Sequence, residues 1–141
     1  MAYDADNIFA RIVRGEIPCI RVYEDADTLA FMDIMPQSDG HTLVVPKLAG
    51  ENLFDTPAES LAAAIRTTQT VARAVERAFA CPGLVVTQFN GPVAGQTVFH
   101  LHFHIVPVYA AGAFRVHARE KADAATLEAH AARIRTALKT P

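Results

Sequence analysis

Hydrophobic and polar residues alternate most strictly between Val98 and Pro107, where apolar residues occupy positions 99, 101, 103 and 105. A period of two with aromatic and branched side chains is typical of a half-buried β-strand. Because successive side chains of a strand point to opposite faces, the apolar residues would enter the core. The intervening positions would then share the other face, and they are His100, His102 and His104.

Three histidines in register have three interpretations. The first is structural, with half-exposed rings whose nitrogens are hydrogen-bonded. The second is a metal site, but on a straight strand the Cα atoms of His100 and His104 would lie about 13 Å apart, whereas zinc needs its nitrogens about 2.0–2.1 Å from one point. The third is a row of imidazoles along a phosphate group, with one ring as nucleophile and the others as hydrogen-bond donors. The spacing fits the third interpretation best.

The rest of the chain shows strand and helix patterns in alternation. Helical periodicity covers residues 7–15, 55–79 and 123–138, and strand patterns cover residues 20–24, 28–32, 41–46 and 84–89. Asn7 is expected to cap the first helix. Thr56, Pro57 and Glu59 predict the start of the second through a capping box. The apolar face of this second helix is expected to pack against the sheet.

Three more features lie at strand ends or in loops beside the histidine run. His41 opens a strand, where it could face a ligand. Asp33 ends a strand shortly before a proline, where an acidic residue is most often a turn former. The loop of residues 90–97 contains two glycines, Gln96 and Thr97, so its backbone and side chains offer hydrogen-bond donors. Beside three histidines, this loop is a candidate phosphate cradle.

Composition restricts the partners of the chain. The 141 residues are 51% hydrophobic, which indicates one globular domain with a sizeable core. A net charge of −2 without a basic cluster argues against nucleic acid as a partner. The N-terminus does not resemble a signal peptide and no apolar run reaches the length of a membrane span. Two isolated cysteines, Cys19 and Cys81, suit a reducing cytoplasm.

The segment from Gly95 to Val106 reads His-x-His-x-His followed by two apolar residues, which resembles the signature of the histidine triad superfamily. The similarity extends to residues 7–9, 15–18, 30–37 and 41–47, so it covers most of the chain. It is strongest to the Hint branch, the purine nucleoside phosphoramidases. The resemblance implies an α+β fold with an antiparallel sheet of about five strands packed with two main helices. It also implies a homodimer whose sheets join. The chain would then be a single domain over residues 1–141, with a core at 7–108 and a C-terminal extension with a helix at 109–141.

The resemblance also implies residue roles. His102 would attack the α-phosphate of a purine nucleotide and form a nucleotidylated histidine, which water would hydrolyse. His100, His104 and His41 would orient His102 and bind phosphate oxygens, and Asp33 would accept hydrogen bonds from the ribose hydroxyls. Such a histidine nucleophile, with an ordinary pKa of about 6.5, would give activity an acidic limb near that pH. The other substrate contacts would come from the base pocket and the loop, through Ile8, Phe9, Phe31, Ile34, Gly95, Gln96 and Thr97.

Some positions depart from the pattern of the superfamily. Many bacterial relatives carry zinc-binding cysteines near the N-terminus, where this chain has Asn7 and Ala10, so neither a metal nor a cofactor is expected. The place of a ribose-contacting asparagine is taken by Phe89. Two other functions stay open. One is a dinucleoside polyphosphate hydrolase of the Fhit type, which would share His102, although the position of Gln96 favours Hint. The other is a nucleotide-binding regulatory module with incidental turnover.

Overall fold

The computed structural model describes residues 2–113 and 120–140. The helices and strands predicted from the sequence are all present, and outside the histidine run their boundaries shift by at most three residues. In chain order they are α1 (Ile8–Val13), β1 (Arg21–Glu24), β2 (Thr28–Met32), β3 (Thr42–Pro46), α2 (Ala58–Phe79), β4 (Gly83–Thr87), β5 (Phe103–Val108) and α3 (Ala124–Leu138), with a 3-10 turn at Pro92–Ala94 between β4 and β5.

The strands form one antiparallel sheet in the order β1-β2-β3-β5-β4. This arrangement confirms the expected α+β fold with five antiparallel strands. Both faces of its central strands are covered, so every residue of β2 and β3 is buried. On one face, α2 and α3 contribute Val71, Val75 and Ile134 to a core with Val44 and Ile105. On the other face, Phe9 of α1 packs with Leu29, Phe31, Leu43 and Val45.

The histidine run is not a continuous strand, so the predicted strand start at residue 98 is wrong. β5 begins at Phe103, opposite Val44 of β3. Two residue pairs further along this register, Pro46 would face Leu101, and proline has no N–H to donate to the ladder. The Leu101 N–H donates instead to the Gly50 carbonyl at 3.0 Å. His100 and His102 therefore lie in an irregular segment that leads into β5, and their rings need not share a face with His104.

The start of α2 also differs from the prediction. Pro57 occupies the N-cap position and no side chain caps the helix there. The hydroxyl of Thr56 donates to the Asn52 carbonyl at 2.7 Å and accepts from the Gly50 N–H at 3.0 Å. Thr56 thus stabilises the loop before α2 and does not take part in a capping box. Ile65 of α2 does not pack against the sheet with the other apolar residues of the helix and is 49% exposed. Among the described residues, no helix has both the length and the apolar character to cross a membrane.

Candidate active site

Four histidines cluster where β3 and β5 run side by side. His41 directly precedes β3, and His104 lies on β5 opposite Leu43. The ring centroids of His41 and His104 are 5.2 Å apart, and those of His102 and His104 are 4.9 Å apart. The ring of Phe9 meets the ring of His102 edge to face at 4.9 Å. The structure thus brings together histidines 63 residues apart in the chain.

His102 has a defined proton arrangement. Its Nδ1 lies 2.7 Å from the carbonyl oxygen of His100, which can only accept, so Nδ1 carries the hydrogen. The residue is 7% exposed, and this burial lowers the pKa of His102 to about 4, although the bond to the His100 carbonyl opposes the shift. The ring is therefore neutral at pH 7. No hydrogen bond from the described residues reaches Nε2, which keeps its lone pair.

His100 is fully buried and both of its ring nitrogens are engaged. Nε2 donates to the Pro46 carbonyl at 2.9 Å, and Nδ1 lies 2.8 Å from the Tyr3 hydroxyl. Burial lowers the pKa of His100, so this ring is also neutral. A phosphate oxygen has no access to such a ring, and the expected contact between the His100 side chain and phosphate is not supported. The expected orientation of His102 is found, but it comes from the backbone carbonyl of His100.

His41, His104 and Asp33 form a hydrogen-bonded trio. The Gln37 N–H donates to Nδ1 of His41 at 3.0 Å, so the ring hydrogen of His41 lies on Nε2. This Nε2–H points to Nδ1 of His104 at 3.0 Å, with Oδ2 of Asp33 3.4 Å away. Burial, followed by the proximity of His102, lowers the pKa of His41 to about 4. In its neutral form, His104 then carries its hydrogen on Nε2.

Asp33 lies just after β2, and its side chain bends back over the turn. Its Oδ1 accepts from the Met35 N–H at 2.8 Å. Burial raises the pKa of Asp33 to about 6, and the Met35 N–H only partly offsets the shift. The carboxyl is therefore mostly ionised at pH 7 but is neutral in mild acid. The turn-forming role considered from the sequence and a position beside His41 are both found.

The same trio has the spacing of metal ligands. One potential ligand atom from each of Asp33, His41 and His104 lies within 4.8 Å of the others. A metal-bound histidine, however, coordinates through a lone pair and donates the hydrogen of its other nitrogen. His41 has the opposite pattern, because its Nδ1 accepts from the Gln37 N–H. Metal binding at Nε2 would place two hydrogens against each other at Nδ1. The hydrogen bonds therefore favour proton sharing within the trio over metal coordination.

The predicted base-pocket residues divide into two pairs. Phe9 and Phe31 are buried and contact each other edge to face, with ring centroids 5.4 Å apart. Ile8 and Ile34 are 47% and 52% exposed. Ile8 also borders a cavity of about 350 Å³ together with Thr97. The two exposed side chains are thus available to a ligand, whereas Phe9 packs against the ring of His102 and Phe31 packs against Phe9.

The loop before the histidines is held by Gln96, which is 4% exposed. Its Nε2 donates to the carbonyls of Glu51 at 2.6 Å and Val98 at 3.0 Å, and its Oε1 accepts from the Gly91 N–H at 2.8 Å. Gly95 has a φ of 110°, a region that disfavours other residues. The Gln96 side chain is therefore committed to the loop, and Thr97 is the exposed member of the predicted phosphate contacts.

Two residues near the histidines were not among the predicted site residues. The Tyr3 hydroxyl reaches Nδ1 of His100, and the ring of Phe89 lies 5.5 Å from that of His104. The sequence marks Phe89 only as a departure from the usual asparagine. The neighbouring Asn90 is bound within the loop, where its Oδ1 accepts from the Leu53 N–H at 2.9 Å. No local pattern marks Tyr3, because its partner is 97 residues away.

Fold and site together define a class of protein in which an open antiparallel sheet holds a histidine cluster beside its central strands. The family model described as HIT domain matches residues 14–111, and the chain belongs to this family. A solved structure of a Hit-like protein from Bartonella henselae is 48% identical and superposes with a TM-score of 0.88. The superposition covers 96% of this chain and 99% of the Bartonella henselae chain.

Two curated relatives show the range of the family. Protein hit of Bacillus subtilis is 43% identical over 105 residues, which are 74% of this chain and 72% of that protein. The adenosine 5′-monophosphoramidase of Schizosaccharomyces pombe is 41% identical over 100 residues, which are 71% of this chain and 72% of that protein. Relatives of this chain thus include an enzyme named for cleavage of an adenosine phosphoramidate.

Proposed function

We propose that this chain hydrolyses purine nucleoside 5′-phosphoramidates, with His102 as the nucleophile. The observation that carries the proposal is the bond from His102 Nδ1–H to the His100 carbonyl at 2.7 Å, which leaves the Nε2 lone pair for attack. Burial keeps this ring neutral at physiological pH. The Schizosaccharomyces pombe relative, named a phosphoramidase, supports the substrate class.

In the first step, Nε2 of His102 attacks the α-phosphorus and a nitrogen–phosphorus bond forms. The bond between phosphorus and the amine breaks, and the departing nitrogen keeps the electron pair and takes a proton from solvent. The His102 ring becomes a nucleotidylated imidazolium, whose Nδ1–H still donates to the His100 carbonyl. That carbonyl stabilises the positive charge that develops on the ring.

The charge on the phosphate oxygens needs donors that are fixed before the reaction. His104 supplies one, because its Nδ1 accepts from His41 and its own hydrogen therefore lies on Nε2. His41 acts through His104, since the Gln37 N–H fixes its tautomer. Thr97 is the exposed donor of the loop. Asp33, ionised at pH 7, accepts hydrogen bonds from the ribose hydroxyls.

In the second step, a water oxygen attacks the same phosphorus and releases a proton to solvent. The bond between Nε2 and phosphorus breaks, and its electron pair returns to His102. The products are a nucleoside 5′-monophosphate and the free enzyme. Splitting one displacement into two lets the same donors stabilise the charge in both transition states.

The test compares His102→Ala with His130→Ala on an adenosine 5′-phosphoramidate. His130 is a suitable control because it lies on α3, where its ring contacts Phe79 at 5.2 Å. We expect His102→Ala to lower kcat at least about 1,000-fold, as loss of a nucleophile does. Its affinity for AMP, measured by calorimetry, should stay within about threefold of the parent protein. His130→Ala should retain both properties.

Intact-mass measurement after rapid denaturation at neutral pH follows the covalent intermediate. A mass increase of one nucleotidyl group, which is a nucleoside monophosphate less one water, is expected, and peptide analysis should locate it on the peptide that contains His102. The absence of both an adduct and AMP release would contradict the proposed reaction. AMP binding without turnover in the parent protein would favour the regulatory module, and preferred cleavage of a dinucleoside polyphosphate would favour the Fhit-type activity.

We also propose that the active form is a homodimer joined along β4. This strand forms an outer edge of the sheet, and exposed edges readily pair with another chain. Beside it, Val86 is 42% exposed and Ile65 of α2 is 49% exposed. Both line a cavity of about 430 Å³ that also includes Ala72. Pairing with the same edge of a second copy would bury these apolar side chains, which favours the dimer.

Sedimentation of Val86→Lys tests the dimer. The charge should shift the protein toward monomer, because a buried lysine without a partner is costly at an interface. Val93→Lys is the matched control, since Val93 is fully exposed on the 3-10 turn. A parent protein that is monomeric at all concentrations would contradict the dimer.

A further inference from the structure

The N-terminal segment reaches the histidine cluster through one side chain. The Tyr3 hydroxyl lies 2.8 Å from Nδ1 of His100, and the two ring centroids are 5.8 Å apart. The other nearby polar atom is Nδ2 of Asn7, at the longer distance of 3.5 Å. Since His100 is fully buried, the Tyr3 hydroxyl is its principal partner at Nδ1.

The direction of this hydrogen bond follows from the opposite side of the ring. Nε2 of His100 lies 2.9 Å from the Pro46 carbonyl oxygen, which can only accept, so Nε2 carries the hydrogen. Burial lowers the pKa of His100 and keeps the ring neutral. Nδ1 is then a bare acceptor, and the Tyr3 hydroxyl must donate to it. Without this donor, Nδ1 would be left in a buried site with only the distant Asn7 amide.

The tyrosine is not needed to anchor the N-terminal segment itself. Arg14 donates to the Ala5 carbonyl at 2.5 Å and to the Asp6 carboxylate at 3.1 Å. The Asn7 side chain caps α1 through the Ala10 N–H at 2.9 Å. The segment thus has its own attachments, and the contribution of the Tyr3 hydroxyl falls mainly on the His100 ring.

The His100 ring and the His102 ring are joined through the backbone of residue 100, whose carbonyl accepts from Nδ1 of His102 at 2.7 Å. We propose that Tyr3 is a positioning residue: by donating to Nδ1 of His100, it fixes that ring against Pro46 and so holds the carbonyl that keeps the Nε2 lone pair of His102 in place for attack. The kinetic part of this inference rests on the proposed function.

The experiment removes the hydroxyl and keeps the aromatic ring. Tyr3→Phe is compared with Tyr23→Phe, because Tyr23 loses an equivalent hydrogen bond, to Asp25 at 3.0 Å, on β1 and outside the histidine cluster. We expect Tyr3→Phe to lower kcat about three- to tenfold with an unchanged KM, which corresponds to the loss of one hydrogen bond. Tyr23→Phe should leave both constants unchanged.

Nitrogen-15 NMR of the histidine rings in the unliganded protein provides a readout that does not need turnover. The parent protein should show His100 with its hydrogen on Nε2 and His102 with its hydrogen on Nδ1, assigned with His100→Gln and His102→Ala. In Tyr3→Phe, the His100 signals should shift toward a mixture of tautomers. Spectra identical to those of the parent, or an unchanged kcat, would overturn the inference. If the parent protein shows no turnover, the proposed function fails and the spectra alone decide the role of Tyr3.

Discussion

The pH dependence of turnover separates a buried histidine nucleophile from an exposed one. With a pKa of about 4, His102 is about 90% neutral at pH 5. An exposed histidine, with a pKa of about 6.5, would be only about 3% neutral at that pH. The two cases differ about thirtyfold in the fraction of active enzyme. The structure therefore replaces the expected acidic limb near pH 6.5 with one near pH 4.

Asp33 complicates the measurement, because its pKa of about 6 lies in the same range. If ribose binding needs the carboxylate, kcat/KM of the free enzyme should fall about tenfold between pH 7 and pH 5, whereas kcat at saturation should stay level. In Asp33→Asn, kcat/KM should start lower and then stay level to pH 5. The limb of His102 should appear near pH 4 in both proteins.

The assay is AMP release from an adenosine phosphoramidate between pH 4 and pH 8 at constant ionic strength. Circular dichroism at each pH confirms that the fold is intact. A loss of more than about tenfold in kcat/KM between pH 7 and pH 5 in Asp33→Asn, which lacks the titrating carboxylate, would refute the argument. It would mean that His102 titrates as an exposed ring.

Three further predictions concern stability and metal content. Burial raises the pKa of Asp33 above its unfolded value, so its charge costs stability above about pH 6. Asp33→Asn should therefore increase the free energy of unfolding at pH 8 by about 1–3 kcal/mol and leave it unchanged at pH 4; an equal effect at both pH values would contradict this. Gln96→Leu should destabilise the protein by about 2–3 kcal/mol in urea unfolding, because it leaves the part-buried carbonyls of Glu51 and Val98 without their donor, whereas the exposed control Glu76→Leu should not. Elemental analysis of protein purified without chelators should find no stoichiometric zinc, and one zinc per chain would disprove this.

Local patterns determined most of the secondary structure. The Asn7 cap of α1 is confirmed, because an N-cap depends only on the residues that follow it: its side chain accepts from the Ala10 N–H at 2.9 Å. The strand from Thr28 to Met32 was predicted with its observed bounds. Side chains of this strand pack alternately against α1 and against α2. Its run of apolar residues therefore identifies the strand without information from distant residues.

The errors occurred where backbone groups outside the predicted element decide the outcome. The prediction that residues 98–102 continue the strand failed: the observed register ends at Val44 and Phe103, and Pro46, which would oppose Leu101, has no N–H for the ladder. Thr56 was expected to cap α2, but the Asn52 carbonyl and the Gly50 N–H engage its hydroxyl first. In both places the side chains follow the expected pattern, but the hydrogen bonds are made to other groups: the Leu101 N–H to the Gly50 carbonyl, and the Thr56 hydroxyl to the Asn52 carbonyl and the Gly50 N–H.

The sequence by itself determined that three histidines share one segment and that a sheet with helices on it would carry them. Only the tertiary structure decided which nitrogen of each ring carries the hydrogen. The Pro46 carbonyl places the hydrogen of His100 on Nε2, and the Gln37 N–H places the hydrogen of His41 on Nε2. The physical reason is that imidazole is both donor and acceptor, so its chemistry depends on partners that the fold brings from elsewhere in the chain.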